Sequence, residues 1–315
     1  MANVTVHEPV LKDEVLEGLK VCNGGRFIDG TLGGGGHTRA ILDASGPDGR
    51  VLGIDQDPDA LLRTGKFLAG YGDRFQSVHG NFAQMASLAP AQGFDRPDGI
   101  LMDLGVSSDQ LDTPERGFSF RFEGPLDMRM DPTQGLSVKE WLDSTDLDEL
   151  TGVIRRWGEE RQARRISIAI IKARDEGKLV DTLSLAQVID DAVGGRKGSR
   201  IHPATRSFQA LRMEVNREMA VLEEGLDAAL SLLAPGGRLA VITFHSLEDR
   251  AVKQFFRRHE GREVSLYQGG SEWQGDLPRV ERVWRKPRIA TPEEQERNPR
   301  ARSAKLRVIE VKECL

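Results

Sequence analysis

Short apolar segments alternate with longer amphipathic stretches over the first hundred residues of the chain. Segments at residues 27–28, 50–55, 75–80 and 100–105 have the composition of strands. The stretches between them have helical spacing, and one opens with Pro58, a residue favoured in the first turn of a helix. Strands that alternate with helices in this way predict an α/β fold with a parallel, doubly wound sheet.

The strand pattern stops near residue 110, where helical periodicity takes over. After an irregular segment at residues 112–137, the periodicity predicts helices at 147–157, 160–174 and 183–193, and then a long helix at 208–233. A buried strand is predicted at residues 238–244, and the alternating run at 304–311 predicts an edge strand with one exposed face. We therefore predict a discontinuous core domain, residues 1–108 and 206–315. A helical domain inserted at residues 109–205 is assigned to substrate recognition.

A glycine-rich turn follows the first predicted strand. Asp29 ends that strand, and four consecutive glycines, Gly33 to Gly36, precede a helix start. Glycine permits positive φ and a close approach of a ligand to the backbone, while the helix start offers unpaired N–H donors. Such turns also occur for purely structural reasons, so this segment alone does not identify a ligand.

Acidic residues also end the second and fourth predicted strands, at Asp55 and Asp103. Because ligands bind at the carboxyl ends of parallel strands, we expect these acids to converge there with Asp29. An acid at the end of strand two binds ribose hydroxyls, which fits a nicotinamide dinucleotide or S-adenosylmethionine. An acid beside the turn repels a pyrophosphate and attracts a sulfonium, so S-adenosylmethionine is favoured. Phe82, which begins the element after the third strand, is either an adenine contact or ordinary core.

Composition narrows the classes of function. The chain has 315 residues, of which 38% are hydrophobic and 30% charged, an ordinary soluble profile. The N-terminal segment lacks the apolar region of a secretory signal, and no run approaches the roughly 18 apolar residues of a membrane span, so we expect a cytoplasmic protein. Cys22 and Cys314 have no metal-ligand spacing, and no metal site is predicted. The net charge of −5 argues against a uniformly basic nucleic-acid binder but allows local basic faces.

Basic residues gather in three groups. One lies at residues 155–165 and is interpreted as a solvated helix face. The others lie at residues 196–217 and 297–307, where they flank proline-containing turns, and arginine's forked donors suit phosphate oxygens. The sequence therefore predicts phosphate contacts at the second and third groups.

Eight segments, which are distributed over most of the chain, carry a family resemblance. They are HEPVL at residues 7–11, DGTLGGGGH at 29–37, DLGVSSDQL at 103–111, RGFSF at 116–120, GPLDMRMDP at 124–132, HPATR at 202–206, FHSLEDR at 244–250 and NPRARS at 298–303. On these segments the chain resembles the bacterial ribosomal RNA small-subunit methyltransferase H family, also called MraW. Only residues 260–290 show no recognisable similarity.

The resemblance implies a class I, Rossmann-like, S-adenosylmethionine-dependent methyltransferase core with a helical insertion after strand four. It implies cofactor contacts at Gly35, Gly36, His37, Asp55, Phe82, Asp103 and Gln110, among which His37 and Gln110 rest on the resemblance alone. The turn itself adds Asp29 and Gly33 to this predicted set. The implied substrate is the exocyclic N4 of a cytidine in small-subunit ribosomal RNA, either naked or in the assembled subunit. The predicted RNA contacts are Arg206, Arg212, His245, Arg250, Arg300 and Arg302.

Methyl transfer to an amine requires no covalent enzyme nucleophile. Both cysteines lie in terminal segments, away from the strand-end acids, which disfavours methylation at carbon-5 of the ring. Asp103 is the predicted catalytic residue, which either orients the amine or accepts its proton during a direct in-line transfer. His245 either contacts the base or forms a hydrogen bond at a helix start.

Several alternatives stay open at the level of sequence. DNA amino-methyltransferases carry a Pro-Pro-aromatic segment after the acid of strand four, where this chain has LGVSS at residues 104–108. The groups that hold the target base are therefore not identified. Rival functions are a nicotinamide oxidoreductase, a non-catalytic RNA-binding assembly factor and a methyltransferase acting on DNA or protein. The oligomeric state is also open, with a homodimer as one alternative.

Overall fold

The structure, a computed structural model, describes residues 8–195, 202–260, 262–265, 270–274 and 280–312. The chain divides into two compact units. The first, here called the core unit, comprises Met1–Gly105 and Ala220–Leu315, and the second, the helical unit, comprises Val106–Met219. Arg196, Lys197 and Arg200 of the second basic group, as well as Cys314, lie outside the described residues.

The elements of the described residues are numbered here in chain order. The strands are β1 (Arg26–Asp29), β2 (Arg50–Asp55), β3 (Phe75–His79), β4 (Gly99–Asp103), β5 (Arg238–Thr243), β6 (Arg262–Ser265), β7 (Ser271–Gln274), β8 (Val280–Arg282) and β9 (Lys305–Val311). The α-helices are α1 (Lys12–Gly18), α2 (Gly36–Ala44), α3 (Pro58–Phe67), α4 (Met85–Ala91), α5 (Ser108–Asp112), α6 (Val138–Ser144), α7 (Leu147–Gly158), α8 (Ala163–Asp175), α9 (Thr182–Val193), α10 (Ala204–Val215), α11 (Glu218–Leu232), α12 (Ser246–Glu260) and α13 (Pro292–Arg297). Among these helices, none combines the length and hydrophobicity that a membrane span requires.

A mixed sheet forms the centre of the core unit. Its order in the described part of the chain is β3-β2-β1-β4-β5-β9-β8, and β1 to β5 run parallel. The order reverses between β1 and β4, and in sheets of this kind ligands bind outside the carboxyl ends at such a point. The prediction of a doubly wound α/β fold is therefore confirmed.

The register of the sheet brings the three strand-end acids to one face. Asp29 pairs with Leu101, and Leu101 pairs with Ala240 on β5. Side chains in register project to the same face, and those two residues apart on a strand do so as well. Leu101 and Ala240 belong to one buried apolar layer, which also contains Phe27, Val51 and Ile242. Asp29, Asp55 and Asp103 therefore continue this layer at the carboxyl ends of β1, β2 and β4.

The prediction of an edge strand at residues 304–311 was wrong. Strand β9 runs antiparallel to β5 and is covered on its other side by the short strand β8. Strand β8 comes from the segment 260–290, in which no pattern was recognisable. The buried residues of β9 show that one face of the strand packs against the interior. Both edges of the strand have a hydrogen-bonded neighbour, β5 on one side and β8 on the other.

The helical unit is built around an apolar core from α6 to α10 and the preceding loop. Buried members of this core include Phe118, Met128, Leu150, Ile166 and Phe208. Helix α7 lies against both α8 and α10, and a Cβ at Gly158 would meet the backbone oxygen of Arg206 at 2.7 Å. Helix α10 thus belongs to the helical unit, which ends at Met219, whereas the predicted boundary lay at residue 205.

The single helix predicted at residues 208–233 was also wrong. Helix α10 ends at Val215, and α11 begins at Glu218. Between them, Arg217 takes a left-handed conformation with φ of 49°. The Asn216 side chain accepts a hydrogen bond from Met130 N at 2.7 Å and donates one to Met128 O at 2.8 Å. These bonds to a distant loop explain the break.

Candidate active site

The glycine turn after β1 is held in a conformation that only glycine adopts easily. Gly33 and Gly35 have φ of 48° and 75°. Gly33 N donates to Asp55 Oδ2 at 2.7 Å, and Thr64 Oγ1 on α3 donates to Gly33 O at 2.8 Å. A Cβ at Gly35 would lie 2.5 Å from Thr64 Cγ2. The turn is therefore fixed by β2 and α3 and has no room for side chains toward α3.

Asp29 is buried beneath this turn, with 1% of its surface exposed. Its carboxylate accepts hydrogen bonds from Thr31 N at 3.2 Å and from Thr38 Oγ1 at 2.7 Å. Burial raises the pKa of Asp29, although these hydrogen bonds oppose the rise. Thr31 Oγ1 in turn accepts a bond from Asp103 N at 2.6 Å. Asp29 thus helps to fix the turn through its hydrogen bonds to Thr31 and Thr38. A contact between Asp29 and a cofactor stays a prediction.

Asp55 fixes the turn from the end of β2. Its carboxylate accepts from Gly33 N and, at 2.8 Å, from Asp57 N. Burial raises the pKa of Asp55 to about 6, and the two backbone hydrogen bonds oppose this rise. A half-buried acceptor at this strand end has the placement that binds hydroxyl groups in doubly wound folds.

Asp103 and His37 face each other at the end of β4. His37 Nε2 lies 3.7 Å from Asp103 Oδ2, and the imidazole is buried at the start of α2. Within the described residues, Asp103 Oδ1 and both ring nitrogens of His37 are buried without a hydrogen-bond partner. Unpaired buried polar groups are costly, which makes these atoms candidates for ligand contact.

The electrostatics of this pair favour two uncharged groups. Burial raises the pKa of Asp103 to about 8, and the charges of Asp29 and Glu248 add to the rise. The positive charge of Arg300 acts in the opposite direction. Burial lowers the pKa of His37 to about 4. At neutral pH the free protein therefore has a protonated Asp103 beside a neutral imidazole.

Phe82 lies on the turn that follows β3. It is half-buried, and a Cβ at Gly225 on α11 would lie 2.3 Å from its ring atom Cδ2. A Cβ at Gly30 would lie 3.2 Å from Phe82 Cβ. The ring thus packs where two glycines leave space, and contact with an adenine stays a prediction.

Gln110 belongs to the helical unit. Its side chain accepts from Ser107 N at 3.0 Å, and its own N–H donates to Ser107 Oγ at 3.1 Å. This reciprocal pair is a capping box at the start of α5. The predicted cofactor contact of Gln110 is not tested by these bonds.

Glu248 is a buried carboxylate that the sequence interpretation missed. Its Oε2 accepts hydrogen bonds from Phe244 N at 2.8 Å and from His245 N at 3.2 Å. Its own N–H donates to His245 Nδ1 at 3.4 Å, and His245 Nε2 lies 3.1 Å from Oε1. Residues His245 and Glu248 thus form a capping box for α12, in which histidine takes the usual place of serine. The spacing of an acid three residues after the cap was the available signal.

The predicted RNA contacts differ in how far they are engaged within the protein. Arg206 is 53% exposed and lies 3.7 Å from Glu160. Arg212 is largely buried and binds Glu218 through two hydrogen bonds of 2.6 and 2.7 Å. In the core unit, Arg250 and Arg302 are exposed, whereas Arg300 is half-buried. An exposed guanidinium can reach an external phosphate more readily than a buried one, so Arg206, Arg250 and Arg302 are better placed than Arg212.

The fold and site together define a class of protein. A sheet ordered β3-β2-β1-β4-β5 with an antiparallel strand beyond β5, a glycine turn after β1 and acids at three strand ends form a class I, Rossmann-like methyltransferase core. The family model of the MraW methylase family matches residues 4–312. The chain belongs to this family, which confirms the resemblance of its sequence segments.

Relatives of known name match the chain over nearly its whole length. The ribosomal RNA small subunit methyltransferase H of Geobacter sulfurreducens is 48% identical over 305 residues, which are 96% of this chain and 98% of the relative. That of Syntrophotalea carbinolica is 49% identical over 306 residues, 96% and 97% of the two chains. Among solved structures, a SAM-dependent O-methyltransferase from Thermotoga maritima is 10% identical, covers 98% of this chain and 68% of its own, and has a TM-score of 0.41.

The residues present fit S-adenosylmethionine, the methyl donor of this methylase family. Its ammonium and sulfonium groups are cationic, and Asp103 Oδ1 is a buried acceptor that lacks a partner among the described residues. The glycine turn exposes backbone rather than side chains, and Asp55 supplies an acceptor for hydroxyl groups. Asp55, Asp103, His37 and the turn would therefore hold the donor.

Proposed function

We propose that this protein methylates the exocyclic N4 of a cytidine in small-subunit ribosomal RNA. The substrate class is supported by relatives at 48–49% identity that are named small-subunit ribosomal RNA methyltransferases. Choice of the N4 amine is supported by the sequence segments that resemble the family and by the acid at the end of β4. The RNA substrate would place the enzyme in the cytoplasm.

The single observation that best supports this proposal is the buried, unpartnered oxygen Oδ1 of Asp103 among the described residues. An exocyclic amine of cytosine is a weak nucleophile because its lone pair is delocalised into the ring. A carboxyl oxygen that accepts one of its N–H groups aligns the lone pair and stabilises the positive charge that develops on nitrogen. Asp103 Oδ1 is buried and has no partner in the described part of the chain, so it is available for this contact.

The donor supplies an activated methyl group on a positively charged sulfur. His37 borders Asp103 on one side and presents an uncharged imidazole, so it adds no positive charge that would repel the donor. Asp103 then holds or accepts the amine proton. A covalent intermediate is not required, and Cys22, which is exposed and precedes β1, is not among the strand-end residues. We infer a direct in-line transfer.

The test uses Asp103→Asn, which preserves shape but cannot take up the negative charge that a bound cationic donor favours on Asp103. Small ribosomal subunits from cells that lack this enzyme are incubated with tritium-labelled donor, and the labelled nucleoside is identified after digestion. Wild-type protein is expected to label N4-methylcytidine, and Asp103→Asn is expected to be about 10²–10⁴-fold slower. Calorimetry should show that the variant still binds S-adenosylhomocysteine. Label in another nucleoside would contradict the assigned substrate, and an unchanged rate would contradict the role of Asp103.

A further inference from the structure

Phe244 follows β5 and projects to the same face of the sheet as Asp103. Asp103 pairs with Ile242 in the parallel register of β4 and β5, so the two side chains share a face. Phe244 lies two residues beyond Ile242 and therefore projects to that face too. In agreement, Ile242 is a member of the apolar layer under the strand-end acids, and Phe244 packs against that layer. Adjacent strands are about 4.8 Å apart, so Phe244 follows the strand next to Asp103 and lies two residues beyond the register partner of Asp103.

The position of Phe244 is fixed by its backbone. Phe244 N donates to the buried Oε2 of Glu248 at 2.8 Å, and the same oxygen accepts from His245 N. Glu248 is only 4% exposed, so the group that holds Phe244 N is a buried carboxylate. The ring itself is half-buried, with the remaining part accessible.

Gly105 leaves one side of the Phe244 ring uncovered. A Cβ at Gly105 would lie 3.8 Å from Phe244 Cδ2, in ordinary van der Waals contact. Any side chain at residue 105 would therefore lie against the ring. Gly105 also has φ of 93°, a conformation that disfavours other residues. Part of the Phe244 ring therefore stays uncovered at the end of β5, the strand that pairs with β4 and Asp103.

We propose that Phe244 is the aromatic side chain on which the target cytosine stacks while its amine faces Asp103. The proposal rests on the function proposed above. No aromatic residue follows Asp103 within residues 104–108, so β4 does not supply one. Base–aromatic stacking requires a flat, partly exposed ring near the group that binds the amine, and Phe244 is half-buried and shares a face of the sheet with Asp103.

This arrangement assigns a different part to His245. Both of its ring nitrogens lie within 3.4 Å of Glu248 atoms, and its side chain is 14% exposed. Nδ1 is engaged at the start of α12, Nε2 is buried without a hydrogen-bond partner among the described residues, and the ring offers little surface on which a base could stack. Phe244 contacts the base, and His245 helps to position the segment that carries it.

The test compares Phe244→Leu, which keeps an apolar side chain but has no ring, with Phe244→Tyr, which keeps the ring. Phe75→Leu is the matched control, because Phe75 is also half-buried against the same layer but lies at the amino end of β3. The probe is pyrrolocytidine 5′-monophosphate, whose fluorescence is quenched on stacking, in the presence of saturating S-adenosylhomocysteine. Circular dichroism verifies the folding of each variant, and calorimetry measures its affinity for S-adenosylhomocysteine.

Wild type, Phe244→Tyr and Phe75→Leu are expected to quench the probe, while Phe244→Leu binds it about tenfold more weakly with unchanged affinity for S-adenosylhomocysteine. In methylation of small subunits, Phe244→Leu should lower kcat/KM by a similar factor. Equal probe binding and equal kcat/KM in Phe244→Leu and wild type would overturn the role of Phe244. Wild-type protein that modifies no cytidine N4 would instead overturn the proposed function, so the two failures are distinguishable.

Discussion

At the scale of single residues, the position of Asp103 can be predicted from the sequence, whereas its protonation state cannot. Its place after an apolar run predicts that it lies at a strand end near Asp29 and Asp55. Its state of protonation depends on burial and on the charges of Glu248 and Arg300, which are distant in sequence. Glu248 was not among the predicted site residues, because its burial depends on how α12 packs against β5.

Donor binding should release a proton from Asp103. In the free protein its pKa is raised to about 8, so it is mainly protonated at pH 7. A bound cation favours the carboxylate and lowers this pKa, and binding therefore becomes weaker as pH falls below 8. We expect the affinity for S-adenosylmethionine to rise by up to about tenfold per pH unit between pH 6 and 8 and to level off above. Isothermal titration calorimetry across this range measures it.

The matched variant for this prediction is Asp103→Asn. The side chain of this variant cannot titrate, whereas the donor's own amino group titrates with either protein. Subtracting the two pH profiles of affinity therefore isolates the contribution of Asp103. Asp55, whose pKa is raised to about 6, contributes only toward the lower end of the range. The groups that face Asp103 are Asp29, His37, Glu248 and Arg300. Parallel pH profiles for wild type and Asp103→Asn would show that Asp103 is already ionised in the free protein.

At the scale of elements, the glycine turn was predictable, and the reason for each glycine was not. A run of four glycines after a strand predicts a turn that approaches a ligand. The contact that forbids a side chain at Gly35 comes from Thr64, one helix further along the chain. Conversely, the side chain of Gln110 forms a capping box at the start of its own helix. The family resemblance implied a cofactor contact for Gln110 and did not predict this local role.

Gly35→Ala should destabilise the turn and weaken donor binding. Alanine at φ of 75° is strained, and its Cβ would lie 2.5 Å from Thr64 Cγ2, so the turn must shift. We expect a loss of about 1–3 kcal/mol in the free energy of unfolding, measured by urea denaturation, together with at least tenfold weaker donor binding. Gly65→Ala is the control, because a Cβ at Gly65 in α3 meets nothing within 4 Å and alanine favours helix. Equal behaviour of the two variants would argue against a constrained turn.

The break between α10 and α11 should depend on Asn216. Helical periodicity continues through residues 208–233, so the local pattern contains no stop signal, and the hydrogen bonds that end α10 come from Met128 and Met130. Asn216→Ala removes both bonds to this largely buried loop, and we expect a loss of about 1–3 kcal/mol in the free energy of unfolding. Gln187→Ala, which removes an exposed side-chain bond to Asp191, should change it by less than about 0.5 kcal/mol. Urea denaturation of both variants provides the comparison.

At the scale of the whole molecule, strands β1 to β5 and the alternation with helices were predictable from local patterns. The order of the last strands was not, since β8 has three residues and only its pairing with β9 defines it. The predicted insertion began at residue 109, close to the observed start of the helical unit at Val106. Its end was placed too early because α10 belongs to the helical unit through packing against α7 rather than through any change in composition.

RNA binding should draw on exposed arginines in both units. Arg206 is half-exposed in the helical unit, and Arg302 is exposed in the core unit, whereas Arg300 influences Asp103 and is left unchanged. For Arg206→Ala with Arg302→Ala, we expect weaker binding to small-subunit ribosomal RNA at every salt concentration.

The logarithmic salt dependence should also become shallower in this double variant, by about 0.7–0.9 for each phosphate contact that is lost, because fewer counterions are released on binding. Arg164→Ala is the control, since Arg164 is 60% exposed, pairs with Asp148 at 3.1 Å and belongs to the group interpreted as a solvated face. Filter binding between 50 and 300 mM salt, roughly the range over which such slopes are resolved, measures both quantities. If the slope changed in Arg164→Ala but not in the double variant, we would infer that the RNA contacts the basic face of α7 and α8 instead.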